Sequence, residues 1–387
     1  MTTTDPSPST KRYLQIYNPP IEPTGDFHLF QSFRLTAKQT EDGDNTTTHR
    51  DYDVFVRSKW ELKTSNLFRT TNESRRAALA FYRVQIPCWY KPKERKYWGT
   101  PEVMPSSKGP GVRKTLYICP ELDTLEIQWL EFFKYFAHDV WASDPRHVGL
   151  VNLALKTRGL TSIPKQIPIS GRDTTRLKQA VLRIERLIVA SDRIQRMWHG
   201  PLNGVVAIRD HEAHRNVPIL GAVLGFQRLP NDPRIDRQHL KRVYTGKGDP
   251  KWWFYTWFRL LMLLGVEHSH KVDYRFAAYH STGERIHNRE SAAKWVRSED
   301  EKFTTKVTTM LGQRQFNCRI FDRSTQDIER APQQAIGFWL FPMESLGPLP
   351  NINEVPDRYS NFPGMDCDWF LDMSEHIPEL CLSDISS

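Results

Sequence analysis

The chain has 387 residues, 39% hydrophobic and 12% aromatic, which is enough apolar material for a sizeable core and excludes the composition of a disordered chain. Its formal net charge of +9 is unevenly spread: no Lys or Arg follows Arg358, and Asp366, Asp368, Asp372, Glu375, Glu379 and Asp384 leave residues 1–358 with +15. Five cysteines without a C-x-x-C pair exclude a zinc ribbon and argue against a disulfide framework.

Residues 1–10 are polar, with no basic segment leading into an apolar one, so no secretory signal is readable and the expected location is cytoplasmic or nuclear. Four stretches read as loop or disorder: residues 1–25, 36–50, 91–114 and everything from Pro348 onward. Between them, residues 53–57 have the content of a short strand, and 71–83 form a helix with Ala77, Ala78, Phe81 and Tyr82 on a 3.6 period. A capping box of Thr70 and Glu73 fits the start of that helix. Two apolar runs, 115–118 and 124–127, flank the turn Cys119-Pro120-Glu121-Leu122-Asp123 and read as a β-hairpin. Residues 129–141 are helical, and strand 148–155, helix 174–185 and strand 186–190 make a strand-helix-strand unit, although 177–189 also supports one continuous helix. Strands follow at 205–208 and 219–226. An aromatic helix at 251–264 starts after Asp249-Pro250, then come a strand at 272–279, a long charged helix at 288–311 and a strand at 335–341. The longest apolar run, 252–266, is shorter than the roughly 20 residues needed to cross a bilayer and is interrupted by Arg259, so no membrane partner is expected. No repeat at fixed period occurs.

Asn66-Leu-Phe-Arg-Thr-Thr-Asn-Glu73-Ser74-Arg75-Arg-Ala-Ala-Leu-Ala-Phe-Tyr82 resembles the second signature helix of the two-EXR domain proteins of filamentous fungi. Three further pieces resemble that family in order: the aromatic opening Phe27-His28-Leu29-Phe30, the proline-acidic segment from Tyr117 to Ile127, and Ala335-Ile-Gly-Phe-Trp-Leu-Phe-Pro342. Together they span most of residues 27–342. The family's first Glu-x-Arg motif, on a leucine-proline helix similar to the start of an F-box, is absent here, where the chain reads Gln31-Ser-Phe-Arg-Leu-Thr-Ala-Lys38. A shortened gene model and a genuine loss both account for this, and either one weakens an F-box-style adaptor role. The resemblance implies a fold and a lineage and brings no catalytic residue.

Glu73 and Arg75 are two apart on a helix and do not face one another, so the expected roles are a helix-start acid and an outward or packing arginine. His211-Glu212-Ala213-His214 spaces its histidines three apart where the zinc-hydrolase motif needs four, and no metal site is expected. His268 and His270 would share one face of a strand and read as boundary residues. Gly246-Lys247-Gly248 lacks the remainder of a P-loop, Gly221 to Gly225 lacks the dinucleotide fingerprint, and no nucleophile elbow occurs; no cofactor and no catalytic residue is assigned. Lys91, Lys93, Arg95 and Lys96, flanked by Trp89, Tyr90, Tyr97 and Trp98, form a candidate basic interaction patch suited to phosphate and base stacking. Residues 365–373 alternate acidic and bulky apolar side chains, with Trp369 and Phe370 as candidate anchors of an acidic tail folded onto the basic body.

The expected architecture is one α/β body with a mixed sheet covered by helices: a disordered arm at 1–26, the two-EXR-like domain at 27–343, and a Pro-rich, acidic-hydrophobic tail at 344–387. The expected function is a non-catalytic protein-protein interaction module. Alternatives are a nucleic-acid-associated protein binding weakly and non-specifically through its basic body, and an enzyme of unassigned class.

Overall fold

The computed structural model describes residues 27–37, 52–56, 68, 70–90, 112–127, 133–156, 172–190, 216–221, 225–247, 249–280, 286–298, 301, 332–349 and 368–385. It is a mixed α/β protein whose contacts group into two compact units. One comprises the described parts of 29–189 and 255–273, the other the described parts of 1–28, 190–254 and 274–387.

The first unit is built on β1 (Phe27–Ala37), β2 (Tyr52–Val56), β3 (Val84–Tyr90), β4 (Val112–Ile118), β5 (Thr124–Ile127), β6 (Asn152–Lys156) and β7 (Arg186–Ala190). They lie in the order β4-β3-β2-β1-β5-β6-β7. The sheet is mixed: β2 pairs antiparallel to β1, β4 antiparallel to β3, while β2/β3, β1/β5 and β5/β6 are parallel. The expected hairpin between β4 and β5 does not form. The turn between them is tight, with the Asp123 N–H donating to the Cys119 carbonyl at 2.8 Å, yet three strands stand between β4 and β5. At about 4.8 Å per strand, four steps across a flat sheet would be roughly 19 Å, so the sheet has to curl to bring the two ends of this turn together.

Helix α1 (Asn72–Phe81) lies near its expected place, and α2 (Phe133–Ser143) buries Phe133, Phe136, Ala137 and Val140, the stripe of an amphipathic helix. That face packs on α3 (Arg172–Leu182) and on β3. The strand-helix-strand unit forms as β6, α3 and β7, with β6 and β7 adjacent in the sheet. Residues 186–190 do not continue the helix. Turn hydrogen bonds from Arg183 and Ile184 end it, and the N–H groups of Glu185 and Arg186 both reach the Val151 carbonyl, at 2.9 and 3.0 Å. Both strands are almost wholly buried, as near-continuous apolar runs covered on two faces should be.

Helix α4 (Lys251–Leu264) starts at Asp249, whose carboxylate accepts from the Lys251 N–H at 3.0 Å. It ends in a Schellman motif: the Gly265 N–H donates to the Met262 carbonyl at 3.0 Å and the Val266 N–H to Leu261 at 2.9 Å, with Gly265 at φ +57°. Among the described residues no helix is long and apolar enough to cross a membrane.

In the second unit, β8 (Gly225–Leu229), β10 (Asp273–Ala278), β11 (Gly337–Pro342) and β13 (Glu379–Ser383) form an antiparallel sheet in the order β10-β11-β13-β8. A separate antiparallel pair joins β9 (Val243–Lys247) to β12 (Asp368–Leu371). The strand expected at 219–226 is displaced: Ile219 makes isolated bridges to His280 and Ile336, and the strand itself begins at Gly225. Described residues 289–298 of the expected long helix are helical, and Ala292, Trp295 and Val296 close a core cluster with Ile219, Ile286 and Ile336. Asp232 is buried and accepts from the Trp339 indole N–H at 2.6 Å and from the Arg234 guanidinium.

The largest correction concerns the tail. Residues 368–371 and 379–383 are strands, and β13 lies between β11 and β8 with Leu380, Cys381 and Leu382 buried. The acidic composition reads as a loop-like tail folded onto the body through Trp369 and Phe370, whereas the strand β13 is part of the sheet itself and its Glu379 is met by Arg228 and by Arg275, the latter at 3.2 Å. At Gly337 the backbones approach so closely that a Cβ would stand 2.0 Å from the Cys381 carbonyl oxygen. Gly337→Ala should therefore displace β13 and lower stability by about 3 kcal/mol, read as a reduced urea midpoint with exposure of Cys381 to thiol reagents.

Candidate functional site

The family-like triplet lies on the first turn of α1. The N-cap is Thr71, not Thr70, and the third helical residue that completes the capping box is Ser74, not Glu73. Ser74 N–H donates to Thr71 Oγ1 at 3.1 Å and Thr71 N–H to Ser74 Oγ at 2.9 Å. Glu73 and Arg75 are both exposed and point apart. Ala78 is the only fully buried residue of the helix, and Phe81, at its end, is 45% exposed.

Immediately after α1 stands the densest charged cluster among the described residues. Arg83, with its side chain 9% exposed, donates from Nη1 and Nη2 to both oxygens of Glu121 at 2.7 and 2.6 Å. It also donates from Nε to Asp144 Oδ1 at 2.6 Å and from Nη2 to Oδ2 at 3.1 Å. Asp144 is fully buried and further accepts from the N–H groups of Arg146 and Val148, both at 3.0 Å. Burial pushes the Asp144 carboxyl up, but the Arg83 hydrogen bonds and the two backbone donors outweigh it and hold it below the usual range. Glu121 is held low chiefly by its Arg83 hydrogen bonds.

The turn carrying Glu121 also buries Asp123, which accepts from the Cys119 N–H at 2.8 Å. Burial pushes the Asp123 carboxyl up to about 7. Cys119 Sγ lies 3.7 Å from Glu121 Oε2, and burial followed by the neighbouring Asp123 raises its thiol. The same two causes raise Tyr82. Every nitrogen of the guanidinium already donates to a carboxylate, which leaves one Nη1–H for any further acceptor, and a thiol kept neutral is a poor nucleophile. Chemically the arrangement is a staple joining the end of α1, the β4–β5 turn and the residues after α2.

His268 and His270 do not sit on a strand. They follow α4 in a loop, where the Nε2–H of each donates to a carbonyl at the end of α3: Val181 at 3.1 Å and Ile184 at 3.0 Å. The adjacent surface holds a feature that the apolar run concealed. Met262 and Leu263, in the last turn of α4, are 55% and 58% exposed, while Leu260, Leu261 and Leu264 around them are buried.

In the second unit Trp369 and Phe370 are half-buried in β12. The Phe370 ring lies 5.4 Å from Tyr244 and 4.3 Å below the Arg242 guanidinium, and Thr245 Oγ1 donates to the Trp369 carbonyl at 3.3 Å. Lys91, Lys93, Arg95 and Lys96 lie outside the described residues, as do His211 and His214. Tyr90 and Val112, which bound the basic segment, are paired in β3 and β4, with Arg113 exposed beside them. Among the described residues no group of three or more His, Cys, Asp or Glu could hold a metal ion, and Cys88, Cys119 and Cys381 are buried and in no disulfide.

Arg83→Met should cost about 3 kcal/mol in urea unfolding, because it strands the buried Asp144 carboxylate, and Arg83→Lys should recover less than half of that for want of the forked donor. Asp123 gives a pH signature of opposite sense to an ordinary carboxylate. With its folded value near 7 and its unfolded value near 3.8, the folded state holds the extra proton between them, so stability falls as pH rises from about 4 to about 7 and levels above. Asp123→Asn should flatten that slope in thermal unfolding scans across pH 4–8. No family model, no curated protein and no solved structure matches the chain.

Proposed function

We propose that this chain is a non-catalytic protein-protein interaction module of the two-EXR type, acting in the cytoplasm or nucleus. The observation that carries the reading is the Met262–Leu263 pair: two adjacent large apolar side chains more than half exposed, fixed by a Schellman cap on a helix whose neighbouring residues are buried. Exposing two such side chains costs hydrophobic stabilisation that burial against a partner would recover. An unbranched thioether adapts to varied partner shapes. The charged cluster supports the same reading from the other side, since Arg83 is used up in holding the fold. The resemblance of residues 66–82 to the family's second signature helix supplies the lineage.

The nucleic-acid reading keeps one observation in its favour. The basic-aromatic segment 91–96 follows directly on Tyr90, whose pairing with Val112 brings the exposed Arg113 to the same end of the β3–β4 pair. Such contacts would be sequence-independent and steeply weakened by salt.

Affinity purification from the native host with partner identification, run in parallel on wild type and on Met262→Asp/Leu263→Asp, tests the proposal. The double variant should keep its thermal midpoint within a few degrees and lose a defined protein partner at least tenfold. Equal recovery by both chains, or recovery of nucleic acid alone that raised salt removes, defeats it.

A further inference from the structure

The β9–β12 pair differs in kind from the rest of its unit. β13 is interior, with Leu380 and Cys381 fully buried, whereas β12 is four residues long and pairs within a two-stranded sheet. Its register with β9 shifts between Trp369 and Phe370. Trp369, Phe370 and Leu371 are only half-buried, and Asp372 is exposed. Two-stranded pairings of this length are marginal, and such segments open at low free energy. The chain just beyond β12 is anchored independently. The Met373 N–H donates to the Leu240 carbonyl at 2.9 Å with Met373 buried, and the Pro378 carbonyl accepts from the Asp232 N–H at 3.1 Å. β12 can therefore detach with Met373 as the pivot while β13 stays in the sheet.

What β12 covers is specific. Val243, Tyr244 and Thr245 of β9 are buried, and the two residues before them, Lys241 and Arg242, are exposed cations. Phe370 supplies the ring that lies against Tyr244 and under Arg242, and Asp372 lies within electrostatic reach of Lys241. Tyr244 in turn stacks on the His280 ring at 5.9 Å, so the aromatic contact runs from the surface into the unit. An occupant of this strand needs an extended backbone to pair with β9, an aromatic side chain at the position of Phe370, and a carboxylate two residues later.

We propose that β9 is a docking strand for an extended segment of a partner protein in which an aromatic residue is followed two positions later by a carboxylate, and that residues 368–372 occupy it in cis as a competing mimic. This surface is separate from the Met262–Leu263 pair and does not depend on it. The occupant is a different protein and not a second copy, because an identical strand from another copy gains nothing over one held at millimolar effective concentration by its own anchors. A partner strand with better register does.

The probe is a fluorescein-labelled peptide copying residues 366–374 with the Cys367→Ser change, followed by anisotropy on the full chain. Trp369→Ala/Phe370→Ala should bind it about tenfold more tightly than wild type, since the cis competitor is weakened. Adding Arg242→Ala to that background should remove at least fivefold, as should a Phe370→Ala change in the probe. Should the double variant fail to fold, Asp372→Asn, which removes the charge near Lys241 but keeps a side-chain oxygen for the Ser374 N–H and hydroxyl, should still raise probe affinity a few-fold. Equal affinity of wild type and folded variant, or no binding by any folded variant, overturns the proposal. Formation of a stable dimer on mixing wild type with the double variant overturns the assignment to a separate protein.

Discussion

Asp144 has no exposed surface, and the cation that balances it is Arg83, which is shared with Glu121. Burying a carboxylate without compensation costs several kcal/mol, and the forked guanidinium meets that cost because each of its nitrogens is used. The positions of three segments follow from this. Arg83 immediately precedes β3, Glu121 lies in the β4–β5 turn, and Asp144 follows α2. Asn152, at the head of β6, adds a fourth by donating to the Glu121 carbonyl at 2.9 Å. A curled sheet has to hold its ends in place against the tendency of strands to splay, and here the fastening is ionic. Moving either carboxylate would leave half of the guanidinium's fork without its acceptor.

The parts of the fold that were legible in the sequence are those whose cause is local. Helix α1, the β6–α3–β7 unit and β11 are set by apolar period, capping residues and run length, all contained within some tens of residues. The β4–β5 hairpin was misread for the converse reason. A five-residue turn between two apolar runs is compatible with a hairpin, but pairing is decided by β3, which claims the whole of β4 from Val84↔Ile118 to Tyr90↔Val112. The strands β3 and β9 carried too little alternation to stand out, and β12 and β13 were hidden under acidic composition. Leu380-Cys381-Leu382 was the available signal, since three consecutive apolar residues behind a glutamate fit a buried strand better than a solvated tail.

The charged cluster was beyond sequence reasoning because its members are far apart in the chain: 38 residues separate Arg83 from Glu121 and 61 separate it from Asp144. No spacing rule covers such distances. Met262 and Leu263 failed differently. They sit inside a run whose average apolarity implies burial, and only the azimuth of the last helical turn, fixed by the cap at Gly265, turns them outward. The histidines at 268 and 270 were rightly treated as boundary residues, though as donors to α3 and not as strand neighbours.

The interior place of β13 has a consequence for synthesis. β11 ends at Pro342, while the strand that covers its edge ends at Ser383. At about 5–20 residues per second, roughly 2–8 s pass between the two, and during that interval the strand Gly-Phe-Trp-Leu-Phe-Pro presents an unpaired, aromatic edge. Such an edge is a template for any other strand nearby, including that of a neighbouring nascent chain on the same message. The β-sheet of the second unit is thus exposed to mispairing for a time set by translation rate, and slowing the ribosome over codons 343–383 lengthens that exposure without changing a single contact of the finished protein.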